Sequence, residues 1–274
     1  MGRLSKFAAA CAAVVCAFGA NVARADALVP SGSDDTAAIL DAITNAAEGA
    51  TVELGQGTFL LTSTLKFDRN VRLVGAGAGQ TTLDFQSKCR GVSMTSSGAV
   101  LEGVTITGGY AYNASGAGVN MSKGIVRNCR ITDCQATAAT GTTANGGGVN
   151  MTGGTVSGCE IDGCKFGNLY GHGNAIYMDG GTVTNCDIHA NNGGYSNGAY
   201  GDAVVYLKSG TLVASKIHDN TKDATPGVHQ ENGTMINCRI YNNSGTALSA
   251  GIYKTNGNTY NCTVCNCALS GDTT

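Results

Sequence analysis

One line recurs along this chain and constrains it more than any other feature. It reads GTVSGCEIDGCK from residue 154, GTVTNCDIHANN from 181 and GTMINCRIYNNS from 233. The glycine that opens it falls at 98, 124, 154, 181, 210, 233 and 257, with gaps of 26, 30, 27, 29, 23 and 24 residues. A period of this size is the signature of a solenoid, in which no unit buries its apolar side alone and each must cover the last.

Each unit has two arms. The first runs Gly-x-Val-x-Asn-Cys-x-Ile. The second is glycine-rich and ends apolar: GAGVNM (116–121), GGGVNM (146–151), GNAIYM (173–178) and GDAVVYL (201–207). Both are too short and too β-branched for helices. Stacking them makes columns. Cys129, Cys159, Cys186, Ser215, Cys238 and Cys262 form one, led by Val104. Ile131, Ile161, Ile188, Ile217, Ile240 and Val264 form another. Both are expected to point inward, with coils roughly 4.8 Å apart. Three residues past each isoleucine stand Cys134, Cys164, Asn191, Asn220, Asn243 and Cys267, where stacked asparagines can satisfy corner backbone groups.

Ahead of the repeats, Ser33 can cap a helix with Asp34 and Asp35 in its first turn and Ile39, Leu40, Ile43, Ala46 and Ala47 as its apolar stripe. Such a helix would protect the otherwise open edge of the first coil. Further upstream, Arg3 and Lys6, the apolar run 7–20 and Ala23-Arg24-Ala25 read as a secretory signal peptide of bacterial type, cut after Ala25. The expected product is secreted or displayed on the cell surface. Cleavage leaves 14 basic residues of 17 against 19 acidic ones, a net charge of −5. No basic stripe points to nucleic acid, and no remaining apolar run spans a bilayer. Export permits disulfides for the ten remaining cysteines. The repeat instead places five of them, Cys129, Cys159, Cys186, Cys238 and Cys262, in a core column, where a free thiol serves as a small apolar residue.

The expected architecture is therefore an all-β, single-stranded parallel β-helix: signal peptide 1–25, a cap-helix region 26–48 and the solenoid 49–274. No C-terminal cap is legible after Cys267. A further domain, or a partner covering the last coil, would supply one, and the chain could then be a structural fragment of a longer surface protein.

Residues 34–77, from DDTAAILDAI to NVRLVGAG, resemble the opening of the pectate-lyase superfamily of right-handed parallel β-helices. The proline common there before the Gly-x-Gly-type turn is Gly55 here. Residues 98–267 resemble the repeats of polymorphic outer-membrane proteins, in which Gly-Gly-Ala-Ile alternates with Phe-x-x-Asn. Here the second motif becomes Ile188-His-Ala-Asn191, Ile217-His-Asp-Asn220 and Ile240-Tyr-Asn-Asn243. The resemblance implies a right-handed solenoid. It is specific for fold and weak for function.

Enzymes of that superfamily work on the outer face, so the positions flanking each isoleucine are the place to look. One column reads Arg130, Glu160, Asp187, Lys216, Arg239, Thr263; the other reads Thr132, Asp162, His189, His218, Tyr241, Cys265. As a uronate lyase, the chain would hold Ca²⁺ on Glu160, Asp162 and Asp187. Lys216 or Arg239 would be the base. The same order of signs is that of cross-strand ion pairs, Arg130 over Glu160 and Asp187 over Lys216, and this is the reading the sequence favours. Zn²⁺ on Asp162, His189 and His218 is disfavoured because the three stack in a line and not around a point. Gly171-His172-Gly173 matches a short piece of the polygalacturonase signature, but that family's paired aspartates, Asn-Thr-Asp and Arg-Ile-Lys are absent.

Tyr110, Tyr112, Tyr170, Tyr195 and Tyr200 fall between the isoleucine arm and the glycine-rich arm. They are candidate contacts to polysaccharide or to a cell-surface protein. The favoured function is a carbohydrate-binding or adhesive scaffold. The alternative is a polysaccharide lyase or glycoside hydrolase, with Ca²⁺ only in the lyase case.

Overall fold

The computed structural model describes residues 27–139, 141–167, 171–192, 203–222, 225–245 and 249–269. The signal segment and Tyr170, Tyr195 and Tyr200 lie outside them.

The chain winds as a right-handed parallel β-helix whose strands pair coil on coil. A nine-stranded sheet, the isoleucine sheet, runs Gly57–Leu60, Thr81–Asp84, Thr105–Thr107, Arg130–Thr132, Glu160–Asp162, Asp187–His189, Lys216–His218, Arg239–Tyr241 and Thr263–Cys265. Its register matches Ile131 to Ile161, Ile188, Ile217, Ile240 and Val264 in turn. The five isoleucines are fully buried, while Val264 in the last described coil is 46% exposed.

A wide sheet of fifteen strands forms the opposite wall. In early coils it is built of paired short strands such as Val149–Met151 and Thr155–Ser157. Ile176–Thr184 and Ala203–Val213 run straight through and fuse the two rows. Two small three-stranded sheets complete the coils, one of them containing Tyr110–Tyr112, Gln135–Thr137 and Lys165–Phe166.

The first arm is not one strand. It bends at the residue before the cysteine and delivers its halves to different sheets. That residue is left-handed: Asn128, Asn185, Asn237 and Asn261 have φ of 52°, 53°, 55° and 49°. A second left-handed residue follows the isoleucine strand at Asp133, Ala190, Asp219, Asn242 and Asn266. Asn and Asp tolerate this region through local side-chain bonding, which explains why they recur at the corners.

The corner asparagines form the expected ladder. The Asn191 N–H donates to Asn220 Oδ1 at 2.9 Å, and the Asn220 N–H donates to Asn243 Oδ1 at 3.1 Å. Their Nδ2 groups donate to the Ile161 and Ile188 carbonyls at 2.9 and 3.2 Å. Where Cys164 replaces asparagine, its N–H donates to Asn191 Oδ1 at 3.0 Å.

The ten cysteines from Cys89 onward are free thiols, six of them buried. Cys159 and Cys186 donate to the Ser157 and Thr184 carbonyls at 3.4 and 3.3 Å. The adjoining Cys159 thiol and burial push the Cys186 thiol well above its ordinary range, and burial pushes Cys238 up to about 11. These thiols stay protonated and pack as small apolar groups.

Helix α1 spans Thr36–Asn45 and buries Ile39 and Ile43 over the first coil. Its N-cap is Asp35 and not Ser33. The carboxylates that the sequence places in the first turn are used elsewhere: Asp34 accepts the Thr36 N–H at 3.0 Å, and Asp35 accepts the Ser31 and Leu60 N–H groups at 2.8 and 3.1 Å. The helix starts only where those tethers end.

On the wide sheet Glu102 accepts from Arg127 at 2.7 Å and Arg72 at 3.3 Å, which together hold its carboxyl below the usual range. A lowered native pKa stabilises the fold above the unfolded carboxylate's pKa of about 4.3, and that stabilisation is lost as pH falls through the native value. Because Glu102 and its two arginines are partly open to solvent, Glu102→Gln is expected to cost about 1 kcal/mol at pH 7. The difference from wild type should be smaller at pH 3 than at pH 7. Denaturation midpoints at the two pH values check this; an equal loss at both would contradict it.

Candidate functional site

The outer face of the isoleucine sheet presents both predicted columns in register. Arg130, Glu160, Asp187, Lys216 and Arg239 follow one another, and so do Thr132, Asp162, His189, His218 and Tyr241. Their pairing is partly diagonal. Arg130 forks onto Asp162, Nε to Oδ1 at 2.9 Å and Nη2 to Oδ2 at 2.7 Å, while Glu160, directly opposite, lies 3.8 Å away. A planar guanidinium reaches the neighbouring column because only there can it meet both carboxylate oxygens. The expected Asp187–Lys216 pair forms at 3.3 Å.

The histidines are drawn into the same network. His189 Nε2 lies 3.1 Å from Glu160. His218 sits between two carboxylates, Nε2 to Asp187 and Nδ1 to Asp219, both at 2.6 Å. That hydrogen bond holds Asp219 below the usual carboxylate range. The rings stack as a row: His189 to His218 at 5.2 Å and His218 to Tyr241 at 4.6 Å between centroids. The Arg239 guanidinium lies 5.6 Å from the Tyr241 ring centre, a cation–π contact that closes the row.

The Ca²⁺ donors of the lyase reading do not converge. Both Asp162 oxygens face Arg130, and Asp187 is shared by Lys216 and His218. Among the described residues no three His, Cys, Asp or Glu side chains surround a point. As arranged, these carboxylates do not fit a calcium ion.

Tyr110 and Tyr112 flank the buried Ala111 on the small sheet, with Tyr112 59% exposed and Tyr110 half-buried. Two residues apart on one strand, they share a side of the small sheet.

Sequence reasoning missed a second row. In the wide sheet the position of Asn120 and Asn150 becomes Tyr177, Tyr206, His229 and Tyr253, one per coil and in register. The signal was present in GNAIYM and GDAVVYL, where tyrosine replaces the asparagine of Gly-Val-Asn-Met.

These features define a right-handed parallel β-helix with charged and aromatic rows along its outer walls. The model of the rhamnogalacturonase A/epimerase, pectate lyase-like family matches residues 20–271, and the chain belongs to that family. No curated protein matches the sequence. Among solved structures, ORF18 of Geobacillus virus E2 aligns at 16% identity over 86% of this chain, with a TM-score of 0.41; the chain spans 59% of its length. Pectate lyase Pel9A aligns at 12% identity over 84% of this chain and 77% of its own, with a TM-score of 0.46. The A-module of the Azotobacter vinelandii mannuronan C-5 epimerase AlgE4 aligns at 16% identity over 88% and 94%, with a TM-score of 0.29. These likenesses are in outline only and say nothing about activity. Among the described residues no helix is long and apolar enough to cross a membrane.

Proposed function

We propose that the protein is an exported, carbohydrate-binding or adhesive scaffold that meets its ligand along the outer face of the isoleucine sheet and at Tyr110 and Tyr112. One observation carries this reading: the charged groups that a lyase would use are already held by neighbouring side chains, Lys216 by Asp187 and Arg239 by the Tyr241 ring. Lys216 Nζ lies 3.3 Å from Asp187, and the Arg239 guanidinium lies 5.6 Å from the Tyr241 ring centre. What remains is a fixed array of hydrogen-bonding groups and ring edges on a rigid wall, suited to holding a polymer. Belonging to a family described by polysaccharide chemistry supports a glycan ligand.

The second reading is a polysaccharide lyase or glycoside hydrolase. It is favoured by the titratable row of His189, His218 and Tyr241, which lies on the outer wall.

Calorimetry with polygalacturonate, run beside ultraviolet detection of unsaturated products, separates the two. Binding is expected with a flat ultraviolet trace, and Lys216→Ala with Arg239→Ala should weaken it about tenfold, or about 1.4 kcal/mol. An absorbance rise that Lys216→Ala abolishes would make the protein a lyase and overturn the scaffold reading.

A further inference from the structure

One pair of stacked thiols differs from the rest. Ser215 interrupts the cysteine column, so Cys238 has one thiol neighbour in it, Cys262 of the next coil. The two stand in register: Ile236 pairs with Tyr260, Arg239 pairs with Thr263, and the Thr263 N–H donates to the Cys238 carbonyl at 2.9 Å. Just before them Asn261 Nδ2 donates to Asn237 Oδ1 at 2.7 Å, so the coils are pinned on both sides of the pair. Both thiols point the same way. Each donates to the carbonyl two residues upstream at 3.4 Å, Cys238 to Ile236 and Cys262 to Tyr260. Burial first, and the adjoining Cys262 thiol after it, push Cys238 up to about 11.

Registered positions on adjacent coils lie about 4.8 Å apart. That is inside the span of about 4.4–6.8 Å between Cα atoms that a disulfide bridges. Rotation of one side chain about χ1 turns its sulfur toward the other. The other stacked thiols, Cys129, Cys159 and Cys186 in one column and Cys134 and Cys164 in the next, are buried out of a reagent's reach, whereas Cys262 is partly exposed. We propose that Cys238 and Cys262 form a redox-controlled disulfide, which staples the coil carrying Thr263–Cys265 to the coil carrying Arg239–Tyr241. The oxidant is a small disulfide, for which oxidised glutathione is the probe. The Cys262 thiolate attacks one of its sulfurs and one glutathione leaves. The Cys238 thiolate then attacks Cys262 Sγ and displaces the second glutathione. Two cysteine thiols are oxidised, one glutathione disulfide is reduced, and the two cysteine protons end on the two glutathiones. The Cys238 thiolate is scarce at neutral pH, so the second step is slow and quickens as pH rises. Reduced, this coil is held by its ladders with little burial: Val264 and Tyr260 are 46% and 56% exposed. Such a coil opens locally, and the staple makes it open only together with its neighbour. The device operates wherever the surroundings are oxidising and does not rest on the glycan reading.

A tryptic map reads the pair directly. Cys238 is the one cysteine of 223–239, and Cys262 falls in 255–274. The full chain is incubated with oxidised glutathione at pH 7 and at pH 8.5, unfolded in iodoacetamide and digested. A species joining the two peptides is expected, formed at least about tenfold faster at the higher pH. It should persist in the Cys265→Ser and Cys267→Ser variants and be lost in Cys262→Ser. Amide exchange in Asn258–Tyr260 and Thr263–Cys265 is expected to slow at least about tenfold on oxidation and to recover with dithiothreitol. Recovery of Cys238 as the alkylated peptide, with Cys262 free or carrying glutathione, would overturn the proposal. So would a bridge from Cys262 to any other cysteine, or exchange in the bridged protein no slower than in the reduced one. The map on the unsubstituted chain decides the matter even if a variant fails to fold.

Discussion

Asn220→Ala is expected to lower stability by about 2–4 kcal/mol, although it removes only a few polar atoms. Asn220 is fully buried at a corner. Its Oδ1 accepts from the Asn191 N–H and Nδ2 at 2.9 and 3.2 Å, and its Nδ2 donates to the Ile188 carbonyl and Asn243 Oδ1 at 3.2 and 2.9 Å. Alanine leaves the Asn191 N–H and the Ile188 carbonyl buried without these partners. Each orphaned group costs about 1–3 kcal/mol, more than the net worth of the bond lost. Asn220→Cys should cost roughly half as much, because a thiol can still donate to a carbonyl, as Cys134 does to Thr132 at 3.3 Å. Urea unfolding followed by circular dichroism checks the order. A loss below about 0.5 kcal/mol for alanine would show that water or backbone movement satisfies the corner.

Ile188→Ala should cost about 2–5 kcal/mol, the range for deleting a fully buried aliphatic side chain without collapse around it. Ile188 is completely buried between Ile161 and Ile217 in the central coils. Collapse is hindered because those neighbours are held by ladders on both sides. The predicted gradient is the sharper test. Val264 stands in the same column but is 46% exposed, so Val264→Ala should cost well under half as much. Equal losses at the two positions would mean that the column is not packed as described.

Both effects follow from features legible in the sequence. A solenoid repeats its contacts at a fixed period, so aligning the units aligns the structure. The inward isoleucines, the cysteine column, the asparagine corners and the outward columns are each one position of the repeat, and period-two alternation assigns their sides. The helix over the first coil was legible from its apolar stripe, but its cap was not. Asp35 is tied to Leu60, a strand residue 25 positions away, and no local pattern announces that.

The candidate site divides in the same way. The sequence by itself determined which residues share a column, because strand register preserves position in the repeat. Only the tertiary structure decided which neighbour each side chain chooses. Arg130 bypasses Glu160 for Asp162, and His218 takes Asp187 and Asp219 together. Long side chains reach diagonally across about one coil, and the choice turns on two-point geometry and not on sequence spacing. The Tyr177–Tyr253 row lay hidden for a related reason. The glycine-rich arms are separated by loops of unequal length, so only coil-on-coil pairing fixes their register and brings the rings together.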